Sequence, residues 1–449
     1  MSAVKGLDIG KRAMMLQAEA VRTTGQNISN ASLPGYSRQK IELRTTIYES
    51  GDKLTTMDTR RVRDEFIDKS IRSEYQELGE WEMRSRLYGQ VEMVFLEPSD
   101  HGLNDTLAEF WNSWEDAASN PENLAPRAVV TQYGTLVAQS INRFDSELKD
   151  VREAADGYVK DRVMKLNNLA DEIADINDQI MTMEASTAQE ASEVRDRRDH
   201  LIDQMAKIVD TRVVEREESI SVLVGGRAIV DGVKAIGLDV QRLSSDDMTI
   251  SGVVWESDGT PLNISGGELA GLIDTRDEVV PGILTKIDDL TTALIAEVNA
   301  LHSAGYGSNG STGLDFFSGT NSSDIAVNSQ IIMNANNVAI SGSGELGDTT
   351  IARSIAELSE QNIAPGNMKL GDYYSDIVDA MGTQSHGVSM MMENSEMLLN
   401  NLDEQRESVS GVSLDEEAAN LIRFQSAYES AARFISVVDE MVSTLLDIV

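Results

Sequence analysis

Cysteine is absent from the 449-residue chain, which removes disulfide staples, thiolate nucleophiles and Cys-ligated zinc together. Basic residues are scarce beside acidic ones. The 38 Lys and Arg stand against 75 Asp and Glu, a formal charge of −37. Such a chain repels nucleic-acid backbones and anionic membrane surfaces, which attract clustered Lys and Arg, so neither is expected as a partner. Long apolar runs are missing as well. No segment approaches the roughly 18–20 apolar residues of a membrane span. Residues 1–22 carry Lys5, Asp8, Lys11, Arg12, Glu19 and Arg22, so the unbroken apolar stretch of a secretory signal peptide is absent. The expectation is a soluble chain that, if secreted, leaves by a route removing no N-terminal peptide.

What is present is helical periodicity. Val4, Leu7, Met14, Ala18, Val21 and Ile28 fall on a 3-4 repeat broken by Lys11 and Gly25, which predicts an amphipathic N-terminal helix. Pro34-Gly35 ends it, and residues 40–62 alternate weakly and read as extended. Two periodic stretches follow over 74–98 and 102–144, punctuated by Pro98, Pro121 and Pro126. Leu166, Leu169, Ile173, Ile176, Ile180 and Met183 then keep strict 3-4 spacing. After the polar link 185–192, Val194, Leu201, Met205 and Ile208 predict a returning helix and an antiparallel hairpin.

Near Asp210 the period changes to two. Ile220, Val222 and Val224 alternate with their neighbours, Gly225-Gly226 marks a tight turn, and Asp258-Gly259 signals a hairpin. Residues 211–265 therefore read as a small β unit closed by Gly266-Gly267. A helix is predicted from Glu268 to about Ser303, kinked or interrupted by Pro281. Loop and short mixed elements lead to Asp348, expected to cap a helix through Leu358, and the pattern is helical again over 373–409. Ser413 and Glu416 fit the S-x-x-E capping box.

The last helix carries Leu421, Phe424, Tyr428, Ala431, Ile435, Val438, Val442, Leu445 and Val449 at unbroken 3-4 steps. Two seam helices at opposite ends of one chain are natural partners. Ile422, Phe434, Val437, Met441 and Ile448 lie off the seam, a stripe too wide for one neighbour. The pair is thus expected to be loose in a lone subunit and to order on polymerisation. The predicted fold is mainly α with a small β insertion (α+β), a discontinuous helical bundle whose terminal helices pair as a coiled coil. Residues 1–55 with 405–449 form the terminal assembly domain, 56–210 with 266–404 the bundle, and 211–265 the β insertion.

At this point a family resemblance becomes specific. "QNISNASLPGYSRQ" (26–39) resembles the N-terminal signature of the flagellar axial family of rod, hook and hook-associated proteins, and 410–449 resembles their C-terminal signature. Stretches 102–127, 195–209 and 265–306 are similar to the hook–filament junction members. The family motif falls on Asn27, Ile28, Asn30, Pro34, Gly35 and Tyr36, then on Leu414, Glu416, Asn420, Leu421, Gln425 and Tyr428. Together with Val4, Leu7, Met14, Val21, Phe424, Ile435, Val438, Val442 and Leu445 these are the candidate assembly residues. Gln26, Ser32 and Leu33 depart from the family's common Asn, Asn and Thr, and the chain is short for outer β-domains seen in longer relatives. The resemblance implies a structural subunit exported through the flagellar type III apparatus. It would polymerise with itself as a ring at the hook tip, joining hook protein to filament through hook-associated protein 3. A dedicated export chaperone would hold its C-terminal helix, and the appendage would be extracellular, or periplasmic where flagella are internal. Alternatives are another axial protein (hook or second junction protein), a type III-secreted coiled-coil effector or translocator, and more remotely a secreted hydrolase.

Other chemistry is weakly marked. "GYGSNG" (305–310) follows a helix rather than a strand and reads as a loop, not a nucleotide cradle. His101, His200, His302 and His386 are scattered without an H-E-x-x-H, so no metal, cofactor or catalytic residue is assigned. Arg195 and Asp199 in "RDRRDH" read as a surface i,i+4 pair. Trp81, Phe110, Trp111 and Trp114 read as bundle core, and the Met run 389–397 as adaptable packing between helices.

Overall fold

The computed structural model describes residues 2–33, 35–47, 53–95, 102–187, 190–215, 219–245 and 248–448, with side chains at all of these except 2–4, 43–47, 53–57, 187, 245 and 445–448. Pro34, Pro98, His101 and Val449 of the sequence reading lie outside the described residues, as do the side chains of Val4, Leu43, Ile47, Leu445 and Ile448.

The N-terminal stripe forms α1 (Ser2–Asn30). The chain then turns through Gly35, whose φ of +78° lies in the left-handed region open to glycine. The weakly alternating stretch pairs on itself as β1 (Gln39–Ile47) and β2 (Lys53–Arg61), antiparallel with Gln39 opposite Arg61. Helices α2 (Glu65–Phe95) and α3 (Leu103–Ser119) follow. The next helix, α4 (Leu124–Thr187), runs 64 residues without a break and joins two stretches that the sequence suggests are separate. Pro126 punctuates nothing there, because it sits in the first turn, where a backbone donor has no intrahelical partner anyway. Helix α5 (Ser192–Ile208) returns along α4 as the predicted antiparallel hairpin.

The β unit comprises a four-stranded antiparallel sheet in chain order, β3 (Thr211–Glu215), β4 (Ile220–Val224), β5 (Arg227–Asp231) and β6 (Lys234–Ala235), and a hairpin of β7 (Leu238–Ser245) with β8 (Met248–Trp255). Gly225 and Gly226, at φ +55° and +83°, make the two-residue turn between β4 and β5 that strand twist favours. The Asp258-Gly259 turn leads only to a bridge between Val254 and Pro261, not to another strand. The helix expected from Glu268 is interrupted just before Pro281. It consists of α6 (Gly267–Asp274), a π turn (Thr275–Val279) and α7 (Val280–Ala304), and the π turn accommodates the proline's missing donor. Buried Arg276 in that turn donates to Asp156 Oδ1 and to the Ser251 carbonyl, each at 2.7 Å, and so fixes β8 against α4.

Short strands β9 (Phe317–Ser318) and β10 (Ala326–Val327), then α8 (Ser329–Met333) and α9 (Thr350–Glu357), lead to the long α10 (Leu370–Ser410) and terminal α11 (Leu414–Ile448). Asp348 lies one residue before the cap position of α9, Thr349, yet still accepts from the Thr350 N–H at 3.0 Å. At α11 the Glu416 N–H donates to Ser413 Oγ at a long 3.4 Å. The Glu416 carboxylate pairs with Arg38 at 3.0 Å rather than completing the capping box, because a full positive charge outcompetes a backbone donor.

Two hydrophobic cores form along α4. Its first half packs with α3, α7, the C-terminal end of α2, the start of α10 and the segment 316–358. Phe110, Trp114, Phe316 and Phe317 nest there, with the Trp114 and Phe316 rings 5.4 Å apart. Its second half shares a core with α5, α6 and the β unit. His302 lies in the aromatic nest. Its Nδ1 bonds the Leu314 carbonyl at 2.7 Å and its Nε2 accepts from the Ala339 N–H at 3.0 Å, and burial pushes its pKa down to about 4. Those bonds fit the neutral Nδ1–H tautomer. The Met run behaves differently from the sequence expectation. Helix α10 packs through Val388 and Ser395, one heptad apart, and leaves Met390, Met391 and Met397 about half exposed.

Candidate assembly interface

Helices α1 and α11 lie antiparallel, with Gly6 beside Val438 and Gly10 beside Ile435, so the chain's two ends meet. The closest approach uses glycine. A Cβ on Gly10 would stand 2.6 Å from the Ile435 side chain, so any larger residue would wedge the helices apart. The face α1 turns to α11 and β1 is small and polar: Gly10, Ala20, Thr23, Thr24 and Asn27 are buried. Its apolar stripe, Leu7, Met14, Val21 and Ile28, is rotated to the flank and half-buried, while Ala18 is exposed.

On α11 the inward stripe is Leu421, Phe424, Ala431, Ile435, Val438 and Val442, of which Val438 is the most buried at 8 % exposure. Asn420 is half-buried and accepts from Arg423; Gln425 is exposed. Tyr428 departs from the expected seam at 38 % exposure, its inward place taken by Ala427. Leu414, Ile422, Phe434, Val437 and Met441 are 46–66 % exposed, and the last three share one face that this chain leaves uncovered.

The signature loop ties this pair to the body through one buried amide. Asn27 Nδ2 donates to the Gln39 carbonyl at 3.0 Å while its Oδ1 accepts from the Gln39 N–H at 3.0 Å. Tyr36 OH donates to the same oxygen at 2.9 Å, and Asn27 Nδ2 also reaches Glu417 at 3.2 Å. Burial and the nearby Asp196, Glu193 and Glu417 carboxylates push the Tyr36 phenol well above its usual range, so it stays a donor. Glu417 is buried at 3 % exposure and takes Arg38 at 2.6 Å. Residues 27, 36–39 and 417, distant in sequence, thus form one hydrogen-bonded knot where α1, β1 and α11 meet. Asn30 donates to Glu193 at 3.3 Å, and Gly35 packs against His200.

Beneath the knot lies an ionic layer on α5. The Ser37 N–H donates to Asp196 at 2.9 Å; Arg61 pairs with Asp196 at 3.0 Å, Asp199 at 2.7 Å and Glu190 at 2.9 Å. Arg63 also contacts Asp199, and Arg72 pairs with Asp203 at 2.9 Å, which Arg406 of α10 approaches at 3.4 Å. Burial works to raise the Asp199 pKa, but the guanidinium groups of Arg63, Arg61, Arg198 and Arg72 outweigh it and hold the group at about 2. Asp196 and Asp203 shift upward, since burial dominates there. The expected surface pair of Arg195 with Asp199 does not form. Arg195 pairs with Glu184 at 2.7 Å, and Asp199 turns inward to the arginines of the hairpin exit. Glu417, Arg38, Arg61, Arg63 and the α5 acids are the residues that sequence reasoning missed. Only the acidic first turn of α11, which suits a helix N-terminus, pointed toward Glu417.

A family model described as "Flagellar hook-associated protein FlgK helical domain" matches residues 88–317, and one described as "Flagellar basal body rod FlgEFG protein C-terminal" matches residues 404–448. The chain is similar to flagellar hook-associated protein 1 of Bacillus subtilis (strain 168), 26% identical over 99% of this chain and 98% of that protein. The Salmonella typhimurium protein of the same name is 22% identical over 96% of this chain and 97% of its own. These alignments run over 505 and 536 positions, more than the 449 residues here, so both relatives carry segments that this chain lacks. The structure of the flagellar hook junction protein FlgK from Burkholderia pseudomallei shares the fold at a TM-score of 0.69 and 12% identity, covering 76% of this chain and 100% of that one.

Proposed function

This chain belongs to the flagellar hook-associated protein FlgK family, and on that premise we propose that it polymerises at the hook tip through its paired terminal helices. The candidate residues Val4, Leu7, Met14, Val21, Asn27, Ile28, Asn30, Pro34, Gly35, Tyr36, Leu414, Glu416, Asn420, Leu421, Phe424, Gln425, Tyr428, Ile435, Val438, Val442 and Leu445 serve that interface directly or hold it in shape. The observation that carries the reading is the uncovered apolar face of α11, centred on Phe434, Val437 and Met441. Those residues stand at i, i+3 and i+7, the spacing of a packing face. A face of that kind favours burial against another subunit over exposure to water.

The same face supports the finer proposals. Before assembly it is the surface that a flagellar export chaperone covers by holding the helix in an apolar groove. After assembly the ring of subunits meets hook protein on one side and hook-associated protein 3 on the other, outside the cell or in a periplasm that encloses the flagellum. Among the described residues no helix is long and apolar enough to cross a membrane. The test is direct. Purified full-length chain added to isolated hooks lacking junction proteins is expected to cap most tips by electron microscopy, and a version ending at Glu404 is expected to cap none. Equal capping by both would end the proposal that the terminal helices dock the subunit.

A further inference from the structure

We infer that His302 is an acid-sensitive clasp. While its imidazole is neutral it holds segment 334–341 down over the aromatic nest, and once the ring is protonated that segment lifts. The inference concerns the body of the chain and stands apart from how subunits assemble. It begins from one peptide group. The unit joining Val338 to Ala339 is gripped on both sides by side chains from two long helices. Its carbonyl accepts from Arg127 Nη1 of α4, and its N–H donates to His302 Nε2 of α7 at 3.0 Å. Arg127 is fixed in turn by donating to the Pro121 carbonyl at 2.9 Å, and the His302 ring by its Nδ1 bond to the Leu314 carbonyl at 2.7 Å. Val338, Ala339, Ile340 and both gripping side chains are buried, so water offers no substitute partner.

The partners dictate the proton count. The Leu314 carbonyl can only accept, so Nδ1 carries the hydrogen; the Ala339 N–H can only donate, so Nε2 must be bare. A second proton would set one N–H against another. It would also place a full charge in a nest walled by Trp114 and Phe316, whose rings stand edge-on at 6.1 and 5.4 Å. Asp315, next to Leu314, favours the proton, but burial outweighs it and pushes the His302 pKa down to about 4. Arg127 faces the imidazole across the gripped peptide, while Trp114 of α3, Val338 and Ile340 bring no titratable group.

The segment is built to yield locally. Its other ties are few: the Tyr306 N–H donates to the Ser341 carbonyl at 2.8 Å, and the Ile340 N–H reaches the Tyr306 carbonyl at a long 3.3 Å. Exposed stretches, 332–334 and 342–347, flank it, so it can open without α3, α4 or α7 moving. The folded-state pKa lies below the ordinary 6.5, so the clasp is at full strength above about 6.5 and weakens as pH falls toward 4. From pH 7 to pH 5 this linkage raises the opening equilibrium about twentyfold.

Amide exchange of the full chain, read by mass spectrometry and corrected for the intrinsic pH dependence of exchange, tests this in peptides spanning 334–343. The expected result is an opening equilibrium about twentyfold larger at pH 5 than at pH 7, with residues 166–180 of α4 unchanged. His302→Gln should show no such rise, because its amide oxygen can accept from the Ala339 N–H but does not titrate. An equal rise in the His302→Gln chain, no rise in the parent, or acceleration spread evenly over the chain would overturn the clasp. Histidine-selective 15N spectra of the parent decide the point even where the variant fails to fold. The clasp requires a proton on the His302 Nδ1 and a bare Nε2 at pH 7; a proton on Nε2 would overturn it.

Discussion

Replacing Asp199 by alanine is expected to cost about 3–5 kcal/mol of stability, the magnitude typical of removing one partner from a buried ion cluster. The carboxylate is the point where Arg61 and Arg63 converge, with Arg72 at 3.8 Å and Arg198 at 3.7 Å. Without it four guanidinium groups face one another with less compensation, and the exit of the β1–β2 hairpin loses its anchor on α5. Urea unfolding at neutral pH should move the midpoint down accordingly. The pH dependence has a definite sign. The folded-state pKa lies below the ordinary 3.8, at about 2, so this stabilisation is complete above about 4 and is lost as pH falls from 4 to 2. The loss is on the order of 2 kcal/mol, at about 1.4 kcal/mol per pKa unit. Asp196 and Asp203, whose pKa values are raised by burial, act in the opposite direction and bind protons earlier on the way down. The alanine variant should therefore show a shallower acid limb than the parent; an unchanged limb would remove Asp199 as its source.

Asn27→Ala is expected to loosen the junction of α1, β1 and α11 by about 3 kcal/mol, because it strands several buried polar groups at once. The Gln39 N–H and carbonyl lose a reciprocal pair, and Tyr36 OH and Glu417 each lose a contact. Asn27→Asp is the informative companion. It keeps the acceptor for the Gln39 N–H and Tyr36 OH but cannot donate, and it sets a second negative charge against buried Glu417, so it should be no better than alanine. Amide hydrogen exchange reads the result locally: protection should fall in the last turns of α1 and the first turns of α11 while the α3–α4 core keeps its own. Uniform loss across the chain would mean that Asn27 stabilises the fold generally rather than this junction.

Much of the architecture is legible from periodicity. The 3-4 spacing over 166–183 and 194–208 yields α4 and α5, the switch to period two marks the β unit, and Pro281 marks the interruption between α6 and α7. The terminal seam is legible on α11 and only in part on α1. There the close contact is made by Gly6 and Gly10, which carry no hydrophobic signal, and the residues buried near the knot are Thr23, Thr24 and Asn27. Helix packing at short distance selects for small size, which a hydrophobicity pattern does not register. The ionic layer was hidden for another reason. Arg61 and Asp199 are 138 residues apart, and "RDRRDH" looks like any solvated helix surface until the hairpin exit is laid over it. The Met run misled because adaptable apolar residues occur both inside bundles and on open faces.

The central claim is that the open face of α11 is where subunits meet. The most direct measurement counts capped hook tips by electron microscopy for the chain carrying Phe434→Glu with Val437→Glu, beside a control carrying Ser436→Glu, which adds a charge at an exposed position on another side of the same helix. Both monomers are first verified as folded by circular dichroism. The account predicts that capping falls to background for the double variant and stays at the parental level for the control. Capping by the double variant at the parental level would contradict it.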